Sequence, residues 1–150
     1  MELPVEFTFE CELADPLFIP GGPYGTRVVA PASGGTVRGE RLRGELVGGG
    51  GDWILIGADG WARIDVRIHI ATDDGALLYM SYGGVLEMND AVMAAVLERG
   101  RETGFGEQYF WSTPRIETGD ERYAWATQTV FLARGRITGN GVAYEVYRAP

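Results

Sequence analysis

The residues able to do chemistry in this chain are few. Asp52 stands directly before Trp53, after a four-glycine run and at the start of an apolar segment. A carboxylate at a barrel mouth beside an aromatic wall would act as a general acid or base. The alternative is a turn aspartate bonding its local backbone next to a core tryptophan. Asp65, Arg67 and His69 recur at every second position of one segment. If that face lines a polar interior, Arg67 grips a carboxylate or carbonyl and His69 serves as acid or base. If it faces outward, it is a solvated charge stripe, the default for an alternating strand. Glu117, after Pro114-Arg115-Ile116, is either another acid/base group or an ion-pair partner of Arg67. Tyr82, Tyr109, Trp111, Tyr123 and Trp125 could stack on a ligand, although each taken alone is more often core. The catalytic set expected from these residues is Asp52, Arg67 and Glu117. The expected substrate-binding set is Trp53, His69, Tyr82, Tyr109, Trp111, Tyr123, Trp125 and Thr127. Asp73-Asp74 lacks the rest of a calcium loop and fits a hairpin turn instead.

Composition excludes several chemistries. The chain has 150 residues and a net charge of −8, and its 13 basic residues are all arginine. Without lysine there is no Schiff-base chemistry and no Walker-type phosphate loop. One histidine, His69, and one cysteine, Cys11, are too few for a Cys/His zinc site, so no metal is expected. The acidic balance argues against nucleic acid and anionic membranes as partners. No apolar run approaches the roughly 18 residues of a membrane helix. Met1-Glu2-Leu3-Pro4 lacks the basic and apolar regions of a secretory signal. A lone cysteine fits a reducing compartment, and the expected location is the cytoplasm.

Strands must position these residues. The 23 glycines punctuate short runs rich in Val, Ile, Thr, Tyr and Trp. Val5–Leu13 alternates apolar and polar residues as a half-buried strand does. Ala14–Thr26, with Pro16, Pro20 and Pro23, reads as a loop. Short strands are expected near Arg27–Ala30, Thr36–Arg38 and Leu42–Val47. The glycine run at 48–51 leads into a strand rather than a helix, so it is not a phosphate cradle. Trp61–Thr72 places Ile64, Val66, Ile68 and Ile70 on one face and Arg63, Asp65, Arg67 and His69 on the other. A three-residue loop, Asp73-Asp74-Gly75, then pairs Ile70 with Leu78, Ile68 with Met80 and Val66 with Tyr82. Asn89 or Asp90 caps one helix over Asp90–Arg99, with Val92, Met93, Val96 and Leu97 as its apolar stripe. Strands return at Gln108–Glu117, Arg122–Ile137 and Val142–Tyr147. An Asn140-Gly141 turn would set Ile137 opposite Tyr144, Gly135 opposite Val146 and Arg136 opposite Glu145. Extending that strand backwards lines up Phe131, Thr129, Thr127, Trp125 and Tyr123 on one side.

About nine strands and one helix in a single domain, 1–150, favour an all-β fold. The expected form is a closed antiparallel barrel of about eight to ten strands, lipocalin-like in general shape, because closure removes exposed edges. Several stretches together resemble the family called domain of unknown function 3237. They are Gly25-Thr26-Arg27, Gly34-Gly35 with Gly39, Gly50-Gly51-Asp52-Trp53, Asp65-Val66-Arg67 and Thr72-Asp73-Asp74-Gly75-Ala76. Tyr109-Phe110, Thr113-Pro114-Arg115-Ile116-Glu117-Thr118-Gly119, Tyr123-Ala124-Trp125 and Gly135 complete the set. The resemblance implies a β-barrel and no particular activity. Trp111, Ile116 and Thr127 stand where it leads one to expect arginine, phenylalanine and asparagine, which would make a pocket lined by them more apolar.

These readings converge on an enzyme acting on a small apolar molecule that bears a carbonyl or carboxylate. Asp52 or Glu117 would move a proton while Arg67 or a tyrosine steadies the oxyanion, in an isomerase, cyclase or lyase that needs no cofactor. The alternative is a non-catalytic barrel that binds such a molecule. Apolar residues on both faces of the last long strand, Val130 and Leu132 against Phe131, raise a third reading, assembly with a second copy, and lead to the expectation of a homodimer.

Overall fold

A computed structural model describes residues 1–150. Ten strands are present: β1 Val5–Leu13, β2 Leu17–Gly22, β3 Gly25–Gly39, β4 Gly44–Ile56, β5 Trp61–Thr72, β6 Leu77–Glu87, β7 Phe110–Ser112, β8 Arg115–Glu117, β9 Phe131–Thr138 and β10 Gly141–Arg148. Helix α1 is Asp90–Leu97 and a short α2 is Ala124–Thr127. The antiparallel order β1-β10-β9-β7-β6-β5-β4-β3 closes when β3 pairs back onto β1. The result is a closed eight-stranded barrel. Two further strands attach to it, β2 on the edge of β3 and β8 on β6 beside β7. No helix is long and apolar enough to cross a membrane.

The inward phase of β5 is decided by burial. Ile64, Val66, Ile68 and Ile70 are buried, whereas Arg63, Asp65 and Arg67 are exposed. Each aliphatic side chain gains about 2 kcal/mol on burial, and an unpaired buried arginine would cost several. The hairpin to β6 has the expected register, with Ile70 facing Leu78, Ile68 facing Met80 and Val66 facing Tyr82. Phe7, Phe9 and Cys11 of β1 and Tyr144 and Val146 of β10 complete the core.

Other expectations require correction. The 14–26 loop contains β2, an edge strand whose Leu17, Phe18 and Ile19 are exposed, so its ladder to β3 rather than core burial holds it. Pro20 is tolerated there because an edge strand has backbone facing solvent. The separate strands near 27–30 and 36–38 are parts of one continuous β3. The 48–51 glycines lie inside β4 as a bulge between Val47 and Gly51. At Gly50 the backbone has φ +106° and approaches the Arg67 carbonyl so closely that a methyl group would lie 2.2 Å from its oxygen. Pro114, which has no N–H to donate, separates β7 from β8.

The expected Arg122–Ile137 strand is helical at its start. Asp120 accepts from the Arg122 N–H at 3.0 Å and caps a 3-10 turn over Glu121–Tyr123 that continues into α2. Helix α1 is capped by Asn89, whose side chain accepts from the Val92 N–H at 3.0 Å. Its buried residues are Val92 and Ala95, not the full Val92–Met93–Val96–Leu97 stripe, because Met93, Val96 and Leu97 remain exposed where the helix crosses the barrel end. The last hairpin turns at Gly139-Asn140, so Ile137 faces Val142, Gly135 faces Tyr144 and Arg134, not Arg136, faces Glu145. Gly141 is needed in the strand, where β10 presses against β1, and the turn moves one residue earlier.

Candidate active site

One end of the barrel holds an apolar cavity of about 350 Å³. Val28 and Ala30 of β3, Ile54 and Ile56 of β4, Ile64 of β5 and Phe110 of β7 contribute to its wall. The C-terminal part of α1 and the β9–β10 turn frame its mouth. Asp52 lies on the inner wall, in phase with Ile54 and Ile56, and is only 8% exposed. The bulge immediately before it lets β4 continue inward-facing on both sides of the glycine run, with Leu46 and Asp52 both buried.

The Asp52 carboxylate accepts one hydrogen bond, from the Asp65 backbone N–H across the β4–β5 ladder at 3.1 Å. No arginine or histidine forms an ion pair with it. Burial is the main influence and pushes the carboxyl up to about 7; the Asp65 N–H pulls the other way and the Asp65 charge adds a little to the rise. Beneath the cavity Tyr144 stacks on Phe9 at 4.7 Å and meets Tyr82 edge-on at 5.2 Å and Phe110 at 5.3 Å. Burial, followed by neighbouring acidic groups that include Asp52, keeps both phenols well above the ordinary tyrosine range. Burial also pushes the Cys11 thiol up to about 12. At neutral pH these three groups therefore hold their protons, and Asp52 is the interior group poised to exchange one.

Of the sequence-derived set, only Asp52 lines the cavity; Tyr82 is buried in the core, close enough for the Asp52 charge to act on it. Arg67 lies on the outer face, 5.9 Å from the ring of the exposed Trp53. Glu117 is exposed on β8, opposite Tyr79 of β6. His69 is on the same outer surface, 5.8 Å from the Tyr79 ring, with Nδ1 buried and unpartnered. Tyr109 is exposed and packs edge-on against Trp61 at 5.6 Å, and Trp111 packs on Tyr147 at 6.3 Å. Tyr123 ends the 3-10 turn before α2, and its hydroxyl donates to Asp74 of the β5–β6 hairpin at 2.8 Å. Trp125 lies under the Arg41 guanidinium at 3.8 Å, and the exposed Thr127 hydroxyl donates to the Ala124 carbonyl at 2.8 Å. Two physical causes underlie most of these placements: β5 and β8 turn their charged faces to water, and residues 121–127 are helical. The Ile54 and Ile56 wall was missed, although the alternation Asp52–Ile54–Ile56 already put these residues in one phase.

Replacing Arg67 by methionine is accordingly expected to leave the cavity untouched. Binding of the neutral fluorophore phenylnaphthylamine should match that of the unmodified protein, and stability should change by no more than roughly 0.5 kcal/mol. A large fall in affinity would return Arg67 to the site.

A family model described as "Protein of unknown function (DUF3237)" matches residues 1–149. The chain belongs to this family. Among its relatives, the UPF0311 protein RPA1785 of Rhodopseudomonas palustris is 28% identical over 124 residues, 83% of this chain and 80% of that protein. PR-toxin biosynthesis cluster protein 7 of Penicillium roqueforti is 28% identical over 101 residues, 65% of this chain and 54% of that protein. Among solved structures, a beta-barrel like protein from Acinetobacter baumannii superposes with a TM-score of 0.82 at 30% identity, covering 98% of this chain and 94% of the other. A structure described as an enzyme from Penicillium herquei superposes with a TM-score of 0.71 at 16% identity, over 99% of this chain and 94% of that one; at that identity it shows the fold alone.

Proposed function

We propose that this chain is an enzyme that shifts a proton on a small, largely apolar molecule bound in the end of the barrel. Asp52 is the catalytic residue. Its carboxylate takes a proton from an acidic C–H or O–H and returns it to a different atom of the same molecule in an isomerisation or cyclisation, or to the departing group in an elimination. Such a transfer balances without an oxidant or reductant. The observation that carries the reading is a lone carboxyl, unpaired and dehydrated, at the inner wall of an apolar cavity. Its acidity near neutrality suits a group that must both take and give a proton. A relative named for a toxin biosynthesis cluster supports it.

Deuterium wash-in tests this reading. Small enolisable ketones and phenols are incubated with the protein in heavy water. Exchange should rise with pH as Asp52 ionises and level off above about 7. Absence of protein-dependent exchange across the panel, or a rate indifferent to pH between 5 and 9 (roughly two units either side of the break), would count against it.

A further inference from the structure

The polar groups of the cavity are unequally distributed in depth. Asp52 is the buried one. The others, Asp15, Arg99, Thr138 and Asn140, lie at the mouth. Arg99 is the only cation among the lining residues. It follows α1, is half exposed, and donates to the Asp15 carboxylate at 3.0 Å and to the Leu13 carbonyl at 2.5 Å. Asp15 itself is 95% exposed, so its hold on Arg99 is a surface ion pair of small worth. A guanidinium has five N–H donors, and these two contacts leave others free for a planar anion. At the inner wall an anion would meet the Asp52 carboxylate in a dry apolar environment with no counter-charge, where like charges repel most strongly.

We infer that the cavity takes an amphipathic organic anion, apolar body inward, with a neutral carbonyl, C–H or O–H end at Asp52 and a carboxylate or sulfonate held at the mouth by Arg99. The inference rests on the cavity being the functional site. It makes Arg99 a specificity-determining residue and Asp15 the intramolecular anion that the ligand displaces. Leu13 keeps the guanidinium aimed across the opening through its carbonyl.

Two fluorophores of almost the same shape separate these roles: neutral phenylnaphthylamine and anionic anilinonaphthalene sulfonate. The anion is expected to bind the unmodified protein more tightly and to displace the neutral probe one for one. Arg99→Gln should weaken the anion about tenfold, the loss typical of one charge-assisted hydrogen bond, and leave the neutral probe within roughly twofold. Arg99→Lys should recover part of the preference, and Asp15→Asn should strengthen the anion alone. Equal loss of both probes in Arg99→Gln would make Arg99 a mere strap for the helix and overturn the proposal while leaving the enzyme reading standing. Equal affinity for both probes in every variant would do the same. If neither probe enters the unmodified protein, the cavity is not a binding site and both readings fail together.

Discussion

An Asp52→Asn protein is expected to be inactive and, at alkaline pH, more stable than the parent. The two effects share one cause. Burial lifts the Asp52 carboxyl from its ordinary 3.8 to about 7, so the folded barrel prefers the neutral acid. A raised folded value means that the stabilising contribution is complete below about pH 4 and is lost as pH rises through about 7. With each pKa unit worth about 1.4 kcal/mol, the ionised carboxylate lowers stability by about 4 kcal/mol at pH 8 relative to pH 4. Asparagine keeps the shape and can accept from the Asp65 N–H, but it does not ionise. Urea unfolding of both proteins at several pH values should give curves that diverge between about pH 4 and about pH 8, the parent falling away. Parallel curves would mean that Asp52 is hydrated or paired in solution. Proton exchange on any accepted compound should fall by roughly 10²–10⁴-fold in the variant, the usual contribution of a general base. A folded, active Asp52→Asn protein would remove the proposed catalytic residue.

The second large effect is expected at Gly141. Its backbone passes so near β1 that a methyl group would lie 1.9 Å from the Cys11 carbonyl oxygen. Neither strand can retreat, because Cys11 pairs with Val142 on one side and Gly35 on the other, at the seam that closes the barrel. Gly141→Ala should cost about 3 kcal/mol or more, measured by thermal or urea unfolding. Gly139→Ala is the control: its nearest new contact is 3.5 Å, and its backbone is not left-handed. That change should be close to neutral or slightly stabilising. The opposite ranking would restore the turn to Asn140-Gly141.

The barrel was legible in the sequence wherever one face of a strand alternates cleanly. Val5–Leu13 and Trp61–Thr72 each place their large apolar residues two apart, and burial then leaves one phase open to them. The Asp73-Asp74-Gly75 register followed from the same pattern, since any one-residue slip sets charged residues against apolar ones. Asp52 was singled out by its neighbours along the chain, and it is a cavity residue. The candidate partners were not legible in the same way. Arg67 and Glu117 are chemically suggestive, yet burial of Ile64, Val66, Ile68 and Ile70 turns Arg67 outward, and the three residues of β8 are too short a run for a pattern to place Glu117.

By itself, the sequence determined the architecture class, the β5–β6 pairing, the helix start at Asn89 or Asp90 and the absence of lysine chemistry. Each depends on local periodicity, on capping or on composition. Only the tertiary structure decided what surrounds Asp52. Closure of β3 onto β1 brings Cys11 and Tyr144 into the layer under the cavity, from strands more than a hundred residues apart in the chain. It also decided the last turn, because the close pass of β10 over the Cys11 carbonyl overrides the local preference of Asn-Gly. The physical reason is the same in both cases. Dehydration of a carboxyl and contact between two backbones are set by what lies across the barrel, and neither is encoded in the residues adjacent along the chain.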